Sequence, residues 1–198
     1  MNKARWIWVI LLLLALLPAC QGRQIKPGQV VTPISYDFEA DAPGWSVTPF
    51  LTIGANRVLG PFNDRNKRYS DGASLTVTGW PSGADMLVTF ELYCIGTLDS
   101  GGDLADRVWV ELGDGTMLLD IREFPNQFFD DKQEAATGNR GWIRIGERER
   151  AYWTIREQIR VPASRIVDGS VKLVFDGEVT GRKTEFWALD NVVLDIAR

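Results

Sequence analysis

Apolar and polar side chains alternate along most of this chain with the period of a β-strand. From Ala73 to Thr78, Leu75 and Val77 fall on one side and Ser74, Thr76 and Thr78 on the other, as in a strand with one buried face. Met86 to Cys94 repeats the pattern: Val88, Phe90, Leu92 and Cys94 face one way, Thr89 and Glu91 the other. Arg107 to Leu112 alternates again and runs through Gly113-Asp114-Gly115-Thr116 into Met117 to Ile121, where the Asp-Gly pair signals a hairpin. Tyr152 to Val161, Ser170 to Asp176 and Phe186 to Ile196 complete the set of predicted strands. Short strands punctuated by Gly, Pro and Asn, without sustained helical periodicity or a solenoid repeat, predict an all-β antiparallel sandwich or barrel.

The N-terminus follows a different pattern. Met1-Asn2-Lys3-Ala4-Arg5 is basic, and an unbroken apolar run follows from Trp6 to Ala19, ending Leu17-Pro18-Ala19-Cys20. Basic, then apolar, then small is the layout of a secretory signal peptide. Fourteen apolar residues fall short of the roughly 20 that a transmembrane helix needs. The ending resembles the lipobox of bacterial lipoproteins, with Pro18 in place of the usual small residue. That resemblance implies cleavage after residue 19 and acylation of Cys20, which would anchor the chain in a lipid bilayer through more than one acyl chain. Residues 1–19 are then a lipoprotein signal peptide, 20–34 a polar, Gly- and Pro-containing tether, and 35–198 one β-sandwich domain. The expected location is extracytoplasmic, on the cell membrane or the outer membrane; Gln21 after the cysteine favours the outer one by lipoprotein analogy.

Composition narrows the chemistry. Without Lys3 and Arg5 the chain keeps 20 basic against 26 acidic side chains, a formal charge of −6, and no basic run points to nucleic acid. Histidine is absent, which removes His-based triads and zinc sites and the usual general base at neutral pH. With Cys20 acylated, Cys94 has no partner for a disulfide, and its parity makes it a small buried hydrophobe. Catalysis would have to rest on carboxylates. Glu157, alone among Trp153, Ile155, Ile159 and Val161 on one face, is open either to a raised pKa or to an arginine partner. The expectation is a monomeric binding protein rather than an enzyme.

Two segments carry a resemblance. Tyr36-Asp37-Phe38-Glu39 through Gly44-Trp45, and Phe186-Trp187-Ala188-Leu189-Asp190-Asn191-Val192-Val193-Leu194, resemble the first and last strands of jelly-roll carbohydrate-binding modules and galactose-binding-like extracellular domains. The resemblance implies a jelly roll whose first and last strands lie side by side, with a carboxylate from each, here Glu39 and Asp190, helping to hold a structural calcium. Asp190 also shares the parity of Phe186, Ala188, Val192, Leu194 and Ile196, so it either meets a cation or caps backbone N–H groups. Asn56-Arg57-Val58-Leu59-Gly60-Pro61-Phe62 and the strands after it follow the order of a sandwich domain of secreted bacterial surface proteins. Leu98 stands where that domain has an aromatic.

Asp99-Ser100-Gly101-Gly102-Asp103-Leu104-Ala105-Asp106 is a Gly-rich loop between two strands. Asp99, Asp103 and Asp106 are either calcium ligands or solvated charges. Trp109 takes the outward parity between Arg107 and Glu111. An outward indole beside hydrogen-bonding charges can stack on a sugar ring and meet its hydroxyls, unless a loop covers it. Trp142 and Tyr152, near turns, are secondary candidates, whereas Trp45, Trp153 and Trp187 read as core and Trp80 as the cover of a hairpin end. The expected ligand is a saccharide; the alternative is a structural or adhesive role against another envelope protein.

Overall fold

The computed structural model describes residues 32–101, 105–125 and 139–197. The signal peptide, Cys20, most of the tether and Asp103 lie outside these residues. Eleven strands are described: β1 (Ile34–Tyr36), β2 (Phe50–Ile53), β3 (Asn56–Phe62), β4 (Ala73–Val77), β5 (Met86–Ile95), β6 (Arg107–Leu112), β7 (Met117–Ile121), β8 (Arg140–Ile145), β9 (Arg148–Val161), β10 (Val171–Glu178) and β11 (Phe186–Ile196). They form two antiparallel sheets, one in the order β2-β3-β11-β5-β9-β8 with β1 also paired to β11, the other β4-β10-β6-β7. The architecture is a jelly-roll β-sandwich.

Alternation builds the space between the sheets. Met86, Val88, Phe90, Leu92 and Cys94 of β5 meet Leu75 and Val77 of β4, Val108, Val110 and Leu112 of β6, and Leu173 and Phe175 of β10 in one core. Burying a side chain of this kind stabilises the fold by about 1.5–3 kcal/mol. Cys94 is 1% exposed, and burial pushes its thiol pKa up. Trp45, Trp80 and Trp187 lie in the same core, and Trp80 donates its Nε1 hydrogen to the Ala84 carbonyl at 3.1 Å.

A second apolar cluster lies apart from that core. Ile53, Val58, Tyr93, Ile95, Ile143, Ile145, Phe186 and Ala188 are buried together, all of them on strands of the seven-stranded sheet. Tyr93 and Ile95 have the opposite parity to Leu92 and Cys94, so this cluster occupies the outer face of the sheet. At this end β5 and β11 are therefore buried on both faces.

β11 corrects the parity reading of the last strand. Its pairing with β5 slips between Asp190 and Val193, and Asn191 sits at φ 49°, a bulge that exchanges the two faces. Trp187 and Leu189 point to the inter-sheet core before it, Val192 and Leu194 after it. Asp190 therefore shares the outer face with Phe186 and Ala188 and not the core face with Val192. The bulge also divides β11 between partners, β3 at Trp187 and Leu189 and β1 at Val192 to Leu194.

Candidate functional site

The outer face of the four-stranded sheet carries the aromatic candidate. Buried Val108, Val110 and Leu112 turn Arg107, Trp109 and Glu111 outward. In register, Trp109 lies between Asp176 of β10 and Asp120 of β7, Arg107 lies beside Glu178, and Glu111 beside Val174. Arg107 grips Asp120 with two bonds, Nε to Oδ1 at 2.7 Å and Nη2 to Oδ2 at 3.2 Å, and Arg122 Nε adds a third to Oδ2 at 3.1 Å. The Arg107 guanidinium carbon stands 4.7 Å from the Trp109 ring centroid, a cation–π distance. One face of the indole is thus taken by a fixed cation.

The charges on this face act on one another. The bond from Arg107 holds the Asp120 carboxyl below the usual carboxylate range, and the same bond raises the Arg107 pKa. Burial raises the Asp176 pKa, and the charges of Asp71, Glu111 and Asp64 add to it. The result is an indole edge flanked by carboxylate acceptors and a guanidinium donor, a set that can receive and give the hydrogen bonds of a polyhydroxyl ligand.

Trp142 and Tyr152 do not join this face or each other. Trp142 pairs with Ala151 while Tyr152 pairs with Gly141, which puts the two aromatics on opposite sides of the seven-stranded sheet. Trp142 is 66% exposed. Tyr152 packs on Tyr93 with centroids 5.4 Å apart, and a Cβ on Gly141 would come within 2.9 Å of its hydroxyl. Of the five aromatic and charged candidates, only Arg107, Trp109 and Glu111 share a surface.

The two acids of the first and last segments are met by amide groups. Asp190, 1% exposed, accepts from Asn56 Nδ2 at 2.7 Å and from the Asn191 N–H at 2.7 Å. Burial raises its pKa; these donors oppose the shift, and the charges of Glu91 and Glu39 add to it. Glu39 accepts the Arg57 N–H at 2.7 Å through Oε1. Asn56 also reaches the Tyr93 hydroxyl at 3.3 Å, whose pKa is pushed up to about 12 mainly by burial. Glu157, half-buried opposite Phe90 on β5, has its pKa raised by burial.

A tighter acidic group forms where the β5–β6 and β10–β11 connections meet. Oxygens of Asp99, Asp106 and Glu185 lie within 4.8 Å of one another. Asp106 and Glu185 are 0% and 5% exposed, and burial, followed by the charge of Glu185, pushes the Asp106 pKa up to about 6. Asp106 accepts the Asp99 N–H at 2.5 Å and the Thr180 N–H at 2.6 Å. Glu185 accepts the Gly181 N–H, and hydroxyls of Thr97 at 2.9 Å and Thr180 at 3.2 Å. The ion pairs of Arg65, Arg107, Arg122, Arg160 and Arg165 all engage other acids. Two adjacent buried carboxylates need a shared proton or a cation, and a group of oxygens alone suits a hard ion.

Glu185 was not visible as a candidate in the sequence, where it stands far from Asp99 and Asp106 and carries no motif. Its place is set by close packing of the loop: a Cβ on Gly96 would run into the Thr184 carbonyl, and one on Gly181 into the Glu185 carboxylate.

No family profile matches the chain, and no curated protein matches it in sequence. Among solved structures it is similar to the C-terminal family 6 carbohydrate-binding module of LamC, a marine laminarinase from Zobellia galactanivorans, at 12% identity and a TM-score of 0.40, covering 82% of this chain and 98% of that one. It is also similar to a family 27 module of Caldicellulosiruptor saccharolyticus in complex with mannohexaose, at 16% identity and a TM-score of 0.42, covering 83% and 97%. A third is the C-terminal domain of EclA, a sugar-binding protein, at 9% identity and a TM-score of 0.34, covering 90% and 86%.

Proposed function

We propose that this protein is a carbohydrate-binding module held outside the cell by an acylated Cys20, acting as a monomer by binding and not by catalysis, with residues 20–34 as tether and 35–198 as the binding domain. The observation that carries the reading is the Trp109 face, where an outward indole on a regular sheet lies between Asp120 and Asp176 in register. The carboxylates accept hydrogen bonds from sugar hydroxyls, Arg107 donates, and the free part of the indole covers the apolar face of the ring. Calcium at Asp99, Asp106 and Glu185 would neutralise the buried carboxylates and fix the β10–β11 connection.

The test is a glycan array with the purified protein, in calcium and in chelator, repeated with Trp109→Ala. Binding that falls with this substitution supports the reading. No binding by a protein whose circular dichroism shows it folded overturns it and leaves an envelope protein as the partner to seek. Palmitate labelling that is lost in Cys20→Ser tests the anchor, and a calcium-dependent rise in melting temperature that Glu185→Gln removes tests the ion.

A further inference from the structure

A cavity of about 550 Å³ opens between the β3–β4 connection, the β8–β9 hairpin and the β10–β11 connection. Its walls carry Arg68, Arg148, Arg150, Arg182 and Lys183, against the single acid Glu147. Five cations thus converge on one pocket in a chain whose formal net charge is −4. The ion pairs described among the resolved strands and loops involve other arginines. Five like charges against one acid repel, and a bound anion relieves that repulsion.

The backbone that carries Arg182 and Lys183 is tied to the other two walls, and Arg150 supplies one of the ties. Asn66 Nδ2 donates to the Arg182 carbonyl at 3.1 Å, and Arg150 Nη2 to the Lys183 carbonyl at 2.8 Å. Asn63 Nδ2 ties the same connection down through the carbonyls of Glu185 at 2.6 Å and Gly181 at 3.1 Å. The β10–β11 connection is therefore fixed from both neighbouring walls, so its backbone is in place before a ligand binds. Burial and the charge of Arg148 lower the Arg150 pKa.

The pocket has an apolar side as well. Tyr69 stands edge-on to Phe186, centroids 5.2 Å apart, and both line the cavity with Ile145. A free inorganic anion has no use for that surface; the carbon face of a sugar ring does. The volume is in the range of pockets that enclose small organic ligands.

We infer that this pocket binds an acidic saccharide, seating a sulfate ester or uronate carboxylate among Arg148, Arg182 and Lys183 with the sugar ring against Tyr69. The site is separate from the Trp109 face and takes an anionic ligand where that face takes a neutral one, so each can fail without the other.

The experiment is titration calorimetry of the full chain with a sulfated oligosaccharide, an oligogalacturonate, a neutral oligosaccharide, sodium sulfate, and vesicles containing phosphatidylglycerol. The expected result is binding of at least one acidic oligosaccharide that weakens between 50 and 500 mM salt, as screening of about 10 Å at 0.1 M requires. Arg148→Gln with Arg182→Gln should cut that affinity by about tenfold or more, the worth of a charge-assisted hydrogen bond. Arg165→Gln, which removes the same charge outside the pocket, should keep it. No binding of either acidic oligosaccharide overturns the inference, as does affinity equal in the double variant and in Arg165→Gln. Binding to vesicles or sulfate but to no acidic oligosaccharide overturns the saccharide as ligand.

Discussion

The Trp109 face and the basic pocket are both charged, and they handle charge in opposite ways. On the four-stranded sheet Arg107 and Arg122 share Asp120, and the Trp109 indole lies against Arg107. In the pocket five cations share one lining with a single acid, and Arg150 reaches a backbone carbonyl instead of a carboxylate. The first surface keeps Arg107 and Arg122 paired and leaves carboxylate acceptors over, which suits a neutral polyhydroxyl partner. The second is left with excess positive potential and suits an anion. The difference teaches that a net charge of −4 says little about either site, because recognition depends on how charges are sorted locally.

The largest effect expected from breaking this contrast is at Phe186, which is 2% exposed and shared by the pocket wall and the outer apolar cluster. Phe186→Ala should cost about 3–5 kcal/mol in chemical denaturation. A loss below about 1 kcal/mol would show that this end is not a packed core.

Next comes Asp106. Its pKa of about 6 in the folded chain lies above the ordinary carboxylate value, so the fold favours the protonated form. That contribution is complete below about pH 4 and disappears as pH rises through 6. Denaturation in chelator should show a loss on the order of 2 kcal/mol from pH 4 to 7, absent in Asp106→Asn; the same slope in both proteins would remove Asp106 as its source.

On the opposite surface, Trp109→Ala should weaken binding of a neutral oligosaccharide about fivefold, an aromatic contact being worth ~1 kcal/mol, while unfolding stays cooperative. Unchanged affinity would move the platform elsewhere, with the 66% exposed Trp142 as the next aromatic to test. The smallest effect is at Asp120. Arg107 holds its carboxyl pKa low, so its contribution is present at neutral pH and is lost as pH falls through that lowered value. Solvent screens the pair, and Asp120→Asn should cost well under ~1 kcal/mol in a urea titration. A larger loss would make the pair part of the packing.

How far the sequence discloses these regions follows from how they are built. β4, the first half of β5 and β6 have one buried and one more open face, so Leu75, Val88 and Val110 alternate with polar residues and the period shows. Trp109 could be set on the outer face for the same reason. β3 and the start of β11 are buried on both faces, which removes the alternation that would set Trp187 apart from Ala188. The Asp190–Asn191 bulge was hidden because a one-residue slip leaves composition unchanged while exchanging faces. β8 was missed because Arg140, Trp142 and Arg144 lie exposed on an edge strand. The acidic group and the basic pocket lay deepest: Asp106 meets Glu185, and Arg68 meets Arg148 and Arg182, only through the order in which strands pair.

The pairing of β1 with β11 has a consequence for how the molecule stands. Ile34 lies opposite Leu194, near the finish of β11, whereas Phe186 at its start lines the basic pocket. Between these points β11 covers about 26 Å at roughly 3.3 Å per residue. The point where the chain enters the sandwich and the basic pocket therefore lie at opposite ends of one strand, like the foot and the lamp of a post.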